Sequence, residues 1–584
     1  MARFLALLPL LAFPLSLADS CESDCGASSP SVDLLQRKLQ VNNSLSPQSS
    51  RPNLLFIVLD QWRWDWTGLD TTTPVPMPTL KRLAAQGVRF TRAYTPSPQC
   101  VPARTAMAHV REYKDTWLKN QSDLAAKQTS PSLTTPTFMS ALQDVGYTTM
   151  MVGKDHLFYS KHPQIPKNEE RHYMQAIGVE HYHRTGDKYQ LCLSPVPTDE
   201  YGVSLNETEG LFEKQCSFYG SLGFPEQQTE GSCCGDTPVY DHLSIQEIGF
   251  RCQVSNPLDE TWSPDTWIRR KAVKLLQQHG RNKPWFLQVN FLSPHPPFIV
   301  KPGSEHIMQE LEGQLPPAID AEMQTTLVFE DGRPKLLPYN KTYVNISASR
   351  LQYATLLYQL DGEIKEILEA VSEMGAMDNT IIVLTGDHGE HLGDHGHFGK
   401  VSPFESAAHV PLIVAGEGLP LKGVEEHRPV SLIDIPATFL DLAGAPLAPS
   451  MQGYSFLPAL SGGSVTRPAV MFGMNLWEMP WEAAGYSPGV VQFDAAAALF
   501  DNSFLKLICC PRGCRKGGRL LPIPLGFPQV ALMNVTAGTG KNRFEHDILN
   551  QPPGHGVAEA LYLATFLADE FRQVCEPLLT RPEA

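Results

Sequence analysis

Four short apolar runs, each delivering ionisable residues at its carboxyl end, constrain this chain more than any other feature of its 584 residues. The first is NLLFIVLD (53–60); TTMMVGKDH (148–156), WFLQVNFLSPH (285–295) and TIIVLTGDHGE (380–390) repeat the design. A run of strand length without polar alternation suits a strand buried on both faces, as in a parallel sheet covered by helices. Helical patterns separate the runs, among them PTLKRLAAQGV (78–88) and SRLQYATLLYQLDGEIKEILEAV (349–371). The alternation predicts an α/β fold: a large, mainly parallel sheet flanked by helices. Ligands of such sheets bind beyond the carboxyl ends of the strands. Asp60, Lys154, His156, His295, Asp387 and His388 all fall there. A lone polar strand end explains any one of them; six on one edge point to a site.

The flanking segments differ in texture. Residues 1–18 read as a secretory signal, with Arg3 before an apolar stretch from Phe4 to Leu17 and the small Ala18 after it. That stretch, broken by Pro9 and Pro14, falls short of the roughly 20 residues that cross a bilayer. No later run is apolar and long enough, so no membrane span is expected. Residues 19–51 are polar and Ser-rich, a flexible leader. A main α/β domain is expected over 52–460, interrupted at 158–265 by a Cys-rich, disulfide-stapled insertion covering one side of the pocket. A smaller C-terminal α+β subdomain is expected over 461–584, with short antiparallel strands and a closing helix at 560–574. Six Asn-x-Ser/Thr sequons, at Asn42, Asn120, Asn206, Asn340, Asn345 and Asn534, are possible glycan sites on an exported chain. The net charge of −15 argues against nucleic acid as a partner, since polyanion surfaces need clustered cations. The clustered cysteines lack neighbouring histidines at zinc-like spacing and read as disulfides of an oxidising compartment.

Cys100 stands apart, within PSPQCVPARTAMAHV (96–110). It is open to three readings: a buried free thiol, a disulfide partner or a reactive group. Setting it aside leaves 12 − 1 = 11 cysteines, an odd number, so pairing is incomplete either way. The pattern C-x-P-x-R at 100–104 resembles the signature of the formylglycine-dependent (type I) sulfatases of the alkaline-phosphatase-like superfamily, whose cysteine is oxidised to an aldehyde. Five residues alone carry little; their surroundings carry more. PNLLFIVLDQWRWDWTG and MPTLKRLAAQGVRFTRAYTPSPQC resemble that family's opening strand and first helix, GYTTMMVGKDH its lysine–histidine strand and SPHPPF its histidine loop. DNTIIVLTGDHGEHLGDHGHFGK resembles its metal-binding block, and HVPLIVAGEG with VSLIDIPATFLDLAG its later core. The likeness covers most of 52–460 outside 158–265, and 461–584 only faintly.

The resemblance implies hydrolysis of sulfate monoesters in a secreted or lysosome-like compartment. Cys100, converted to 3-oxoalanine by a formylglycine-generating enzyme, would attack sulfur as the hydrated aldehyde. Arg104 would orient it, His156 would act as base, and Lys154 would hold both His156 and the nucleophile electrostatically. His295 and Lys400 would contact the sulfate or the leaving oxygen, with His295 the proton donor. Asp60, Gln61, Asp387 and His388, with residue 100 itself, would hold one divalent cation; mostly oxygen ligands favour Ca²⁺, with Mn²⁺ or Mg²⁺ open. A helix starting near Pro102 would aim its first-turn amides at the anion. The bland readings stand beside these: Asp60 and Gln61 as turn caps, Lys400 as a solvated loop cation, His391, His395 and His397 as second-layer or surface residues, and His409 packed near the following strand. Two departures from the pattern matter. Ala103 replaces the usual serine, and His109 and Val110 stand where a Ser/Thr–Gly pair normally ends the helix. Val110 is β-branched and resists positive φ. Either the turn is built differently or oxidation of Cys100 is impaired. A sulfated small molecule or glycan is the expected substrate. The rival functions are a metal-dependent phosphodiesterase or phosphonate monoester hydrolase, and a non-catalytic glycan-binding scaffold.

Overall fold

The computed structural model describes residues 51–567 and 572–573, apart from 71–72, 119–134, 158–166, 187–199, 208–210, 212–213, 216–259, 282, 319–324, 331–332, 339–345, 395–397, 401, 476–491, 501–502, 510–514, 517–518, 521–529, 536–545 and 548–556. The expected signal, the expected leader up to residue 50, ten of the twelve cysteines and the side chains of all six sequon asparagines therefore lie outside the described residues.

The first apolar run forms β1 (Asn53–Asp60), buried at every position. Because successive side chains point to opposite faces, Leu55, Ile57 and Leu59 enter one hydrophobic layer while Leu54, Phe56 and Val58 enter the other. Burying a side chain of this size contributes about 1.5–3 kcal/mol. Six of them on one strand outweigh the several kcal/mol that a buried carboxylate such as Asp60 costs. The remaining strands of the large sheet are β2 (Gly87–Tyr94), β3 (Thr148–Gly153), β4 (His181–Arg184) and β5 (Trp285–Pro294). After a separate hairpin, β6 (Thr325–Glu330) and β7 (Arg333–Pro338), come β8 (Thr380–Gly386), β9 (His409–Ala415), β10 (Val424–Glu426) and β11 (Val430–Ser431). Their order is β10-β2-β9-β8-β1-β5-β3-β4, with β11 also on β2. From β8 to β4 the strands run parallel. β9 runs antiparallel to both its neighbours, the one reversal in the sheet.

Helices cover both faces. On one lie α1 (Pro78–Ala85), α4 (Pro264–His279) and α5 (Ile346–Glu373); on the other lie α2 (Cys100–His109), α3 (Phe138–Asp144) and α6 (Asp434–Ala443). The helical pattern read over 78–88 stops at Ala85, because Gly87 already pairs with Ala415 in β2. A Cβ at Gly87 would meet the Val414 carbonyl oxygen at 2.0 Å, so this strand start requires glycine. Part of 158–265, set apart above as an insertion, builds the large sheet itself: β4 pairs with β3 and forms its edge. The later chain forms an antiparallel sheet of β12 (Val470–Asn475), β13 (Gln492–Phe500), β14 (Ser503–Cys509), β17 (Val530–Asn534) and β18 (His546–Asp547), beside a two-strand ladder, β15 (Arg515–Lys516) and β16 (Arg519–Leu520). The small side chains of β13, Ala496 and Ala498, let α7 (Val557–Ala564) pack closely through Ala560 and Leu563. Within the helix read over 560–574, α7 ends at Ala564, Thr565 and Phe566 form a turn, and Arg572 and Gln573 are helical again. Lys506 on β14, fully buried, donates to Pro403 O (2.8 Å) and Glu405 Oε1 (3.0 Å), tying this sheet to the larger one.

Candidate active site

The carboxyl ends of β1, β3, β5 and β8 converge, as sheet topology demands of adjacent parallel strands. β1 ends in Asp60, followed by Gln61 at φ +70°; β3 leads into Lys154, β5 into His295, and β8 into Asp387 and His388. α2 approaches this edge with its amino end. Its first residue is Cys100, with Gln99 at the N-cap position making no side-chain capping bond, two residues earlier than the start expected near Pro102. Pro102 thus sits in the first turn, where amide hydrogens have no helical acceptor, so its missing N–H costs nothing.

Cys100 is free and 1% exposed, which removes the disulfide reading. Its Sγ lies 2.8 Å from Lys400 Nζ, 3.1 Å from His388 Nε2, 3.7 Å from Asp60 Oδ1 and 3.8 Å from Lys154 Nζ. Arg104, one turn along α2, donates to Asp387 Oδ2 (2.9 Å) and Lys154 O (2.7 Å), and its other terminal nitrogen stands 3.7 Å from Asp60 Oδ2. Lys154 forms an ion pair with Asp60. Gly153, at φ +95°, turns the chain so that Lys154 enters the site; a Cβ there would meet Asn290 O at 1.9 Å. Lys400 also donates to Gln61 Oε1 (3.0 Å), which ties this part-buried loop cation to the cluster around Cys100. Gln61 is pinned by its own N–H to Asp387 Oδ1 (3.0 Å) and by Tyr353 Oη donating to its carbonyl (2.7 Å).

Electrostatics follow from this packing. Burial would raise the Asp60 carboxyl, yet Lys154, His295, Arg104 and Lys400 together hold it well below the usual carboxylate range. Burial and the neighbouring Asp60 would raise Asp387, and His388, Arg104 and Lys400 outweigh them. Burial pushes His388 down to about 4, so its ring is neutral. With Nδ1 donating to Gly389 O (3.0 Å), the ring presents an Nε2 lone pair to the site. Asp60, Cys100, Asp387 and His388 offer ligand atoms within 4.8 Å of one another, all buried. Two carboxylates, an imidazole lone pair and the side chain of residue 100 make a donor set that fits a divalent cation. Arg104, Lys154 and Lys400 bring three basic side chains to the cleft, an arrangement that suits an anion.

The other expected residues are placed as follows. His295 is buried and donates Nδ1–H to Pro296 O (2.6 Å); its charge acts on Asp60. His156 is buried, at φ +50°, two residues beyond Lys154 on the same strand tip. His391 is fixed between Ser402 Oγ and Ser406 Oγ, each at 2.8 Å; His395 and His397 lie outside the described residues. His409 opens β9 and stacks between Trp64 (4.5 Å) and Tyr94 (4.9 Å). Val110 removes the first of the two alternatives above, a turn built differently, and leaves the oxidation of Cys100 to direct assay. It adopts the left-handed conformation (φ 54°, ψ 43°), so the turn is built as a glycine would build it. Its amide caps Met107 O (3.2 Å), its carbonyl accepts from Gln452 N (2.7 Å), and its side chain is fully buried, which together hold the strained residue in place. Sequence reading missed Glu390, buried and pushed up to about 7 by that burial, against Gln61. Its only signal was an acid closing the quoted block TGDHGE.

A mainly parallel α/β sheet that gathers these groups around one buried residue at a helix start defines a hydrolase of the alkaline-phosphatase-like fold. The sulfatase family profile matches residues 52–445, and the chain belongs to the sulfatase family; it is a sulfuric ester hydrolase. An arylsulfatase of Clostridium perfringens is 26% identical over 415 residues, covering 69% of this chain and 77% of that protein. A choline-sulfatase of Rhizobium meliloti is 26% identical (72% and 74% covered), and arylsulfatase K of Gallus gallus 27% (70% and 67%). Among solved structures, a phosphonate monoester hydrolase from Silicibacter pomeroyi superposes with TM-score 0.61 at 21% identity, covering 90% of this chain and 95% of that one. Among the described residues no helix is long and apolar enough to cross a membrane.

Proposed function

We propose that sulfate ester hydrolysis proceeds at residue 100 after its oxidation to formylglycine, beside one divalent cation held by Asp60, Gln61, Asp387 and His388. The observation that carries this reading is the free thiol of Cys100, buried at a helix start between two lysines and the acceptor cluster. When bound, the cation would supply charge neutralisation for the sulfate and lower the cost of forming an oxyanion nucleophile. The chain's own residues do the rest. Arg104 bridges Asp387 and the Lys154 backbone, fixing the turn that carries residue 100. Lys154 and Lys400 present ammonium groups to the sulfate oxygens. His295 donates a proton to the departing alcohol, and His156 takes one from residue 100 when sulfate is expelled.

The segment 158–265 and the antiparallel sheet are proposed to select the alcohol portion, a sulfated small molecule or glycan. One solved relative is bound to its substrate D-glucosamine-2-N,6-O-disulfate, at TM-score 0.56 and 18% identity, a likeness of fold that leaves the substrate of this chain open to assay. Ca²⁺ is the proposed ion, and the secretory route, with disulfides and glycans, the proposed setting; it would bring the chain to a formylglycine-generating enzyme. Turnover of aryl sulfate and aryl phosphonate monoesters tests the reaction. Sulfate release should dominate; rapid phosphonate cleavage with negligible sulfate release would reverse the assignment in favour of the second reading.

A further inference from the structure

We propose that Glu390 is a positioning residue of this sulfatase: it sets the orientation of the Gln61 amide, and through it the place of Lys400 beside residue 100. This rests on the reading of residue 100 as the reacting group.

Glu390 is fully buried, and its carboxylate accepts from three donors among the described residues. Oε2 accepts from Gln61 Nε2; Oε1 accepts from Leu392 N (3.0 Å) and Gly399 N (2.5 Å). The second pair closes the base of the 390–400 loop, together with His391 N donating to Gly399 O (2.8 Å), directly before Lys400. The first pair acts on Gln61. The backbone of that residue is pinned on both sides, by Asp387 and Tyr353, so its remaining freedom is rotation of the side-chain amide. The two ends of an amide differ: one donates and the other accepts. With Nε2 taken by Glu390, Oε1 faces the Lys400 ammonium at 3.0 Å, whose Nζ is 2.8 Å from Sγ of Cys100. Were the amide reversed, an NH₂ would confront an ammonium, donor against donor, in a buried site where an unmet group is costly. Glu390 thus touches no substrate and acts through its neighbours.

The test exchanges donor and acceptor. In Glu390→Gln the new carbonyl can still accept from Leu392 and Gly399, which leaves its NH₂ facing the Gln61 NH₂. Gln61 must then flip and present its own NH₂ to Lys400. The double variant Gln61→Glu/Glu390→Gln restores every pairing with the same total charge. Expected are a loss of at least about tenfold in kcat for Glu390→Gln, a comparable loss for Gln61→Glu, and recovery to within about threefold in the double variant. Thermal melting and direct Ca²⁺ titration of each protein accompany the kinetics. A folded Glu390→Gln with wild-type kcat overturns the proposal, as does a double variant carrying the summed losses of the singles. If a single variant fails to fold, a folded, active double variant still supports the pairing, and an unfolded or inactive one overturns it. Cys100→Ala measured alongside separates the two claims: activity there sinks the reading of residue 100, whatever Glu390 does.

Discussion

Substituting Val110 by alanine and by glycine should invert the usual order of those two residues. Val110 ends α2 in the left-handed region, at φ 54° and ψ 43°, with its side chain fully buried against the second hydrophobic layer. Both variants lose most of the valine contacts, together worth about 1.5–3 kcal/mol. Alanine keeps the Cβ that collides in a left-handed backbone, at about 1–2 kcal/mol. Glycine releases that strain and gives back about 0.4–1 kcal/mol through its freer unfolded chain. The difference leaves the glycine variant about 1 kcal/mol more stable than the alanine variant. In an ordinary helical position the order is opposite, with glycine about 1 kcal/mol worse. Urea unfolding followed by tryptophan fluorescence, at one protein concentration and pH, reads the gap. An alanine variant more stable than the glycine variant by about 1 kcal/mol would refute the left-handed cap, and with it the account of how α2 carries residue 100 to the strand tips.

Three further outcomes are expected. Lys506→Met leaves Glu405 buried without its main partner and should cost about 3–5 kcal/mol at neutral pH. Burial would raise Glu405, but Lys506, His409 and Tyr94 bring it down to about 2 from an ordinary 4.5. Its folded pKa is depressed, so the stabilisation, about 3 kcal/mol, is complete above 4.5 and lost as pH falls towards about 2. The gap between wild type and Lys506→Met should therefore narrow over that window, and a constant gap in unfolding scans would argue against the ion pair. His388→Ala should weaken Ca²⁺ binding at least about tenfold by calorimetry, and unchanged affinity would remove His388 from the donor set. His295→Ala should slow esters of poor leaving groups more than those of good ones; equal losses would contradict a proton-donating role.

The sheet was legible because its strands are buried on both faces: an unbroken run such as LLFIVL leaves few other places for the chain to go. β2 was harder to see. GVRFTRAY mixes buried and half-buried positions and follows a helical pattern without a break, so tertiary pairing with β9 decides its state. β4 was hidden in the same way, since HYHR is half-buried at every position and joins the sheet only through β3. Around residue 100, the strand-end acids and histidines were readable from topology alone. Their orientation was not. The lone-pair direction of His388 depends on Gly389 O, and the amide direction of Gln61 on Glu390 across 329 residues. Val110 was readable as a conflict, and its resolution needed the buried contacts that hold it.

The most direct measurement is mass spectrometry of the tryptic peptide AYTPSPQCVPAR (93–104), from enzyme whose sulfate release has been assayed in the same preparation. The lighter aldehyde at position 100 should appear, and turnover should scale with its fraction across preparations. Full sulfate-releasing activity from a peptide carrying only the thiol would contradict the account.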